Sequence, residues 1–210
     1  MVDDHPIVYE GLCQRLNSEP DLVVCGRARD STEALLAIPS LKPDVILLDL
    51  ALPGGHGLEL LKDIRARNYQ MPILVFTMYD DMVYALRAIK AGAQGYVTKR
   101  ESSEYLVNAL RTVLRGEFAV GPEVARLFVT GSARQVSRAG DPAASLGDRE
   151  LEIFGLIGQG LGTRAIATRL GRSVKTVETY RARIKRKLQL KDSPALAREA
   201  VRWVESQGRA

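Results

Sequence analysis

Two cysteines, two histidines and one tryptophan are spread over 210 residues. Cys13 and Cys25 lack the paired spacing of a metal or redox site, so they read as reduced core residues. His5 and His56 have no neighbouring donors that suggest metal binding or catalysis, and surface or turn roles account for them. No apolar run approaches the ~18 residues needed to cross a bilayer. The N-terminus has no basic stretch followed by an apolar one, so no secretory signal is read. A cytoplasmic protein without a membrane partner is the expectation. No segment repeats. Residues 158–162 (GQGLG) look like a phosphate-binding loop. They follow a helix instead of a strand and lack the Lys-Ser/Thr that completes such a loop, which excludes that function.

What is present is an ordinary globular composition, 46% apolar and 26% charged, with an uneven charge. Residues 146–210 carry 14 Lys and Arg against 7 Asp and Glu, whereas residues 1–145 carry 16 against 18. A basic third attached to a slightly acidic remainder points to a polyanion-binding module joined to a differently tasked domain.

Residues 44–57 (DVILLDLALPGGHG) organise the first part. Val45 to Leu48 reads as a strand buried on both faces, Asp49 follows at its end, and Pro53, Gly54, Gly55 and Gly57 break the pattern before a helix over 58–67. Around it, helices are expected at 7–16, 31–38, 81–91 and 102–115. Strands are expected at 22–25, 72–77 and 95–98. This alternation favours a doubly wound parallel sheet with helices on both faces. Residues 122–129 read as one short helix and 130–145 as a linker. From 146 onward only helical patterns occur, over 148–158, 163–170, 174–188 and 193–206. The second and third are separated by Gly171-Arg172-Ser173, with Ala167, Gly171 and the apolar set Ile166, Leu170 and Val177 suited to a close helix-turn-helix, and Ser173 placed to cap the third helix. Trp203, with Leu196, Ala200, Val201 and Val204 on the last helix, serves core packing or a dimer contact.

Asp3, Asp4, Asp49, Thr77 and Lys99 each fall at or just past the end of a strand-like segment. In a parallel sheet those ends share one edge, so the five side chains converge. Three carboxylates, a hydroxyl and an ammonium suit Mg²⁺-assisted phosphoryl transfer, with Asp49 as nucleophile and Thr77 and Lys99 on the phosphoryl oxygens.

These residues resemble a known family. Asp3-Asp4-His5-Pro6, Asp49 with Leu52-Pro53-Gly54, Thr77, and Gly95-Tyr96-Val97-Thr98-Lys99 resemble the receiver domain of two-component response regulators. Arg149-Glu150, Ile157, Gly160-Leu161 and the run from Ser173 to Arg181 resemble the LuxR-type helix-turn-helix output domain. Together they match the NarL/FixJ class, with a receiver over 1–116, a connecting helix and linker over 117–145, and an all-α DNA-binding domain over 146–210. The resemblance implies phosphorylation of Asp49 by a sensor histidine kinase and Mg²⁺ on Asp4, Asp49 and the Ala51 carbonyl, with Asp3 assisting through water. It also implies that Thr77 and Tyr96 couple phosphorylation to the 81–98 surface, Tyr96 turning inward, so that homodimerisation and promoter binding change. On the helix over 174–188, Val177, Tyr180 or Arg181, Ile184 and Leu188 face the core. Lys175, Thr176, Glu178, Thr179, Ala182 and Arg183 lie opposite, the early ones within reach of base edges. Arg181, Arg183, Lys185, Arg186 and Lys187 suit phosphates.

Three departures from that pattern stand out. Only Met1 and Val2 precede the acidic pair, where the family has a full central strand. Met1 then reads as an internal methionine of a longer protein whose start is misassigned or trimmed, and the chain as given should have a gap in its sheet and an unanchored acidic pair. Arg172 replaces an aliphatic residue, its stem able to pack while its guanidinium reaches a phosphate. Gly147 and Gly162 replace Ser/Thr caps at small cost. Two alternatives remain. One is a DNA-binding regulator with a degenerate, phosphorylation-independent receiver. The other is a Mg²⁺-dependent phosphatase of the haloacid dehalogenase type, which needs an acid two residues after the nucleophile, where this chain has Ala51.

Overall fold

The computed structural model describes residues 1–53, 55–79, 82–121, 126 and 145–207. The chain divides into two units within the stretch between 126 and 145. Gly54, Asp81, the short helix expected at 122–129 and almost all of the expected linker lie outside the described residues.

In the first unit α1 (Pro6–Asn17) starts with proline at its first position, where a missing N–H costs nothing. α2 (Ser31–Leu41) is capped by Asp30, whose carboxylate accepts from the backbone N–H groups of Thr32 and Glu33. It runs past the expected end at 38, through Pro39, to Lys42 in the left-handed conformation. β1 (Ile46–Leu48) leads to a short antiparallel pair, β2 (Ala51–Leu52) and β3 (Gly55–His56). The sequence pattern had suggested only a break there. α3 (Gly57–Ala66), β4 (Ile73–Thr77), α4 (Met82–Lys90), β5 (Gly95–Thr98) and α5 (Ser103–Leu114) follow. Gly92 and Gly116 end α4 and α5 at φ of 103° and 83°, a region that costs glycine least.

The sheet is parallel in the order β1-β4-β5, Leu48 opposite Val75 and Thr77 opposite Thr98. β1 and β4 are buried throughout, as strands covered on both faces require. Leu12 and Leu16 of α1 and Leu106, Val107 and Leu110 of α5 pack on one face. Leu58, Leu61 and Ile64 of α3 are fully buried.

Two expectations are corrected at the N-terminal edge. The acidic pair is anchored. Val2 bridges in parallel to both Leu48 and Ala28, through Val2 N–H to Leu47 O (2.8 Å), Asp49 N–H to Val2 O (2.9 Å), Ala28 N–H to Met1 O (2.9 Å) and Asp3 N–H to Ala28 O (3.0 Å). Three residues thus do the work expected of a strand, because a parallel ladder holds each residue from two sides. Residues 22–25 do not form a strand; the bridge to Val2 comes further along, at Ala28. The Met1 ammonium donates to Gly26 O at 2.9 Å, and its burial lowers its pKa. Beside it is an apolar cavity of about 90 Å³ whose lining includes Leu16, Val24, Leu41 and Val45.

The second unit contains α6 (Asp148–Gly158), α7 (Thr163–Arg169), α8 (Val174–Lys187) and α9 (Ser193–Gln207). Gly147 offers no side-chain cap, but its own N–H donates to Glu150 Oε2 at 2.8 Å. Lys187 Nζ donates to the same oxygen at 2.5 Å, tying α8 to the start of α6. Ser173 caps α8, its hydroxyl accepting from Thr176 N–H at 3.1 Å. Gly171 makes the turn at φ 59°. Ile166, Ala167, Leu170, Val177 and Ile184 are buried between α7 and α8. Arg172 is exposed. Of the two roles offered for α9, the core claims Leu196, Ala200 and Trp203, with Trp203 5.7 Å from Phe154 ring to ring.

A β-carbon at Gly158 would stand 2.4 Å from Ala200 O and 2.6 Å from a Val204 methyl. Gly158→Ala should therefore destabilise the second unit by about 1–3 kcal/mol, read by thermal unfolding followed at Trp203. An unchanged unfolding temperature would mean that α6 and α9 are not in such close contact.

Candidate functional site

The carboxyl edge of the sheet gathers side chains from three strands. Asp49 follows β1, Thr77 closes β4, and Lys99 follows β5. Asp3 enters from the short bridged segment beside β1. Asp3 and Asp49 are each 3% exposed and Thr77 is fully buried. Lys99 Nζ lies between the carboxylates, 2.7 Å from Asp3 Oδ2 and 2.6 Å from Asp49 Oδ2. Asp49 Oδ1 accepts from Ala51 N–H at 3.1 Å, turning the chain just past the strand.

Burial raises the Asp49 carboxyl above its ordinary value, against the pull of Lys99. Burial draws Lys99 down, but Asp49 and Asp3 outweigh it, and the ammonium ends above its usual value. Lys99 is therefore charged at neutral pH and offsets negative charge at the site.

Asp4 is partly exposed. Its Oδ1 is buried and has no hydrogen-bond partner of acceptable geometry among the described residues. Asp3, Asp4, His5 and Asp49 each offer one donor atom, all within 4.8 Å of one another. The three carboxylates of that set are hard oxygen donors that fit a Mg²⁺ ion, which takes one or two carboxylates and keeps several waters.

The structure brings together Asp3, Asp4, Asp49 and Lys99, with Thr77 on the same edge. It places Tyr96 inward, its hydroxyl donating to Tyr79 O at 2.7 Å. The histidines, read as surface or turn residues, take different places: His56 has a turn role at a cap, though buried, and His5 is exposed. His56 is fully buried, its Nδ1 caps α3 by accepting from Leu58 N–H at 3.1 Å, and it stacks with Tyr84 at 6.1 Å and Tyr79 at 6.3 Å between ring centres. A histidine just before a helix that opens with glycine was the available signal for that cap. His5 stands against the carboxylates, Nδ1 3.2 Å from Asp3 Oδ1 and 3.0 Å from Asp4 Oδ1. Its adjacency to the acidic pair was the signal.

In the second unit, Lys175, Glu178, Thr179, Ala182 and Arg183 are exposed on α8, opposite the buried Val177 and Ile184. Tyr180 and Arg181, between which the periodicity left the core-facing choice open, are both half-buried, as is Lys185. Lys175, Thr176, Thr179, Tyr180 and Arg183 line a shallow groove that begins at Ser173. Thr176 is half-buried, and its hydroxyl lies 2.8 Å from that of Ser173, so it works mainly in the cap.

One unit carries a strand-end Asp paired with Lys at the edge of a parallel sheet, and the other a capped, basic helix-turn-helix. Residues 1–111 match the model of the response regulator receiver domain, and residues 144–200 that of the bacterial regulatory proteins of the luxR family. The chain is 37% identical over 207 residues to the oxygen regulatory protein NreC of Staphylococcus carnosus, covering 96% of this chain and 95% of that protein. It is 38% identical over 208 residues to NreC of Staphylococcus epidermidis, with the same coverage. A solved structure of the RcsB response regulator of Salmonella typhimurium is similar at 28% identity and a TM-score of 0.58, over 94% of this chain and 95% of that one. A LuxR-family response regulator from Aurantimonas is 38% identical at a TM-score of 0.57, covering 62% of this chain and 94% of that one. The chain belongs to the response regulators that join a receiver domain to a LuxR-type DNA-binding domain, and it acts in transcription regulation through a two-component system.

Gly57 lies against the site's backbone. A β-carbon there would stand 2.3 Å from Asp49 O and 2.7 Å from Leu50 Cα, atoms that cannot swing aside. Gly57→Ala should cost about 1–3 kcal/mol in the first unit, measured by urea unfolding followed by tyrosine fluorescence. A variant as stable as the parent would contradict the close approach of α3 to the Asp49 turn.

Proposed function

We propose that a sensor histidine kinase phosphorylates Asp49 and that the modification controls homodimerisation and promoter binding in the cytoplasm. In this reading residues 1–116 are the receiver, 117–145 the connection and 146–210 the output domain. The observation that carries it is the buried Lys99 ammonium shared by Asp3 and Asp49. A carboxylate held next to a fixed cation, with a buried hydroxyl on the neighbouring strand end, suits an acyl phosphate. The Asp49 carboxylate attacks phosphorus as the bond to the donor breaks, Lys99 offsets the charge on the phosphoryl oxygens, and the Thr77 hydroxyl donates to one of them. Asp3, Asp4, Asp49 and the Ala51 carbonyl would hold Mg²⁺, which supplies charge neutralisation during transfer. Thr77 drawn toward the phosphoryl group holds the 78–79 turn, and with it Tyr96 through the bond to Tyr79 O. That would set the surface of α4.

α8 is the reading element for duplex DNA. Lys175, Glu178, Thr179 and Ala182 face base edges, with Thr176 beside them. Arg181, Arg183 and Lys185 contact phosphates. The similar RcsB of Salmonella enterica has been solved bound to the promoter P1flhDC in the presence of the phosphomimetic BeF3-.

Incubation with acetyl phosphate and Mg²⁺ should label Asp49, mapped by mass spectrometry after reductive trapping, and Asp49→Ala should take no label. Label retained in that variant, or labelling indifferent to Mg²⁺, would overturn the assignment.

DNA titrations of the full chain at several salt concentrations test α8. Arg183→Ala should weaken binding to all sequences alike and reduce the salt slope by about one. Thr179→Ala should cost roughly 1–3 kcal/mol on the cognate site and much less elsewhere. Binding that ignored salt would remove α8 from the groove.

A further inference from the structure

The acidic site contains one donor that is not an oxygen. His5 follows the acidic pair at the cap of α1, yet its side chain makes no capping bond. Its backbone is held, His5 N–H donating to Asp3 Oδ1 at 2.8 Å, and Pro6 fixes the chain immediately after it. The ring is turned to the carboxylates, Nδ1 3.2 Å from Asp3 Oδ1 and 3.0 Å from Asp4 Oδ1. Lys99 occupies the opposite side, on Asp3 Oδ2 and Asp49 Oδ2. The two nitrogen groups therefore divide the site. The ammonium stays with the oxygens that a phosphoryl group would approach, and the imidazole, itself exposed, faces the other oxygen of Asp3 and Oδ1 of Asp4.

We propose that His5 Nδ1 is a protein ligand of the divalent ion bound by Asp3, Asp4 and Asp49, and that it tilts the site from Mg²⁺ toward first-row transition ions such as Mn²⁺. The proposal rests on the reading of those three carboxylates as the divalent site. The four donor atoms lie within 4.8 Å of one another, so one ion can draw on all of them. Mg²⁺ favours oxygen donors and gains little from an imidazole, whereas nitrogen ligands are favourable for Mn²⁺ and more so for the ions after it in the Irving–Williams order. Neutral imidazole with its proton on Nε2 presents the Nδ1 lone pair to the ion, and Nε2 is left for water because the side chain is 58% exposed.

The test uses the full chain as wild type, His5→Ala and His5→Asn. Asparagine is a favoured cap and keeps α1 intact, and circular dichroism checks the fold of each. Mn²⁺ binding is followed by electron paramagnetic resonance, with Mg²⁺ as competitor. The expected result is ¹⁴N coupling to bound Mn²⁺ in the wild type, absent from both variants. The preference for Mn²⁺ over Mg²⁺ should also fall by about tenfold or more in both variants, the scale on which even the loss of a ligand's supporting partner registers, while Mg²⁺ affinity changes much less. An unchanged preference, or nitrogen coupling that survives in His5→Ala, would overturn the role of His5 while leaving the carboxylate site standing. Failure of wild type and variants alike to bind either ion would instead overturn the divalent-site reading itself.

Discussion

Lys99 reaches across the edge of the sheet to two carboxylates that belong to different parts of the chain, one 50 residues and the other 96 residues away. The two carboxylates repel each other, and the ammonium between them offsets that repulsion. The contact also requires β1, β4 and β5 in parallel register and the Met1–Asp3 segment beside β1. Everything else in the first unit serves that alignment. Asp49 N–H bonds to Val2 O, Asp3 N–H bonds to Ala28 O, and Lys99 N–H bonds to Thr77 O, so each charged residue has a backbone anchor on the neighbouring segment.

Around that ion triad the loops are tied by rings instead of charges. His56 caps α3, seven residues after Asp49, and stacks with Tyr79, two residues after Thr77, and with Tyr84 of α4. Tyr79 and Tyr84 stack at 4.6 Å between centres, and Tyr96 of β5 bonds to the Tyr79 carbonyl. The turn after Asp49, the turn after Thr77 and the middle of β5 are thus one packed body, which also takes in Tyr84 of α4.

The second unit solves a simpler problem. α8 carries its cations on an outer face because Val177 and Ile184 are buried and Ser173 and Gly171 set where the helix begins. Glu150 is half of the device that holds it there. It accepts from Gly147 N–H and from Lys187, and burial, which would raise its pKa, is outweighed by Lys187 and by the Gly147 N–H.

Much of this was legible in the chain itself. Alternating apolar runs and breaks located β1, β4 and β5 and nearly all the helices to within two or three residues, because periodicity and caps are local properties. Strand-end chemistry located Asp3, Asp4, Asp49, Thr77 and Lys99, because a parallel sheet puts all such ends on one edge. What only the tertiary structure decided involves partners distant in sequence. Residues 22–25 look like a strand but, among the described residues, are paired with none. Met1, Val2 and Asp3 look too short to be one, yet they hold the sheet by bonding on both sides. His5 and His56 look alike as isolated histidines, and one meets the acidic site while the other is sealed among tyrosines. Propensity and pattern belong to a residue and its near neighbours. Pairing, burial and the company of charges belong to whatever the folded chain brings alongside, and no local pattern contains them.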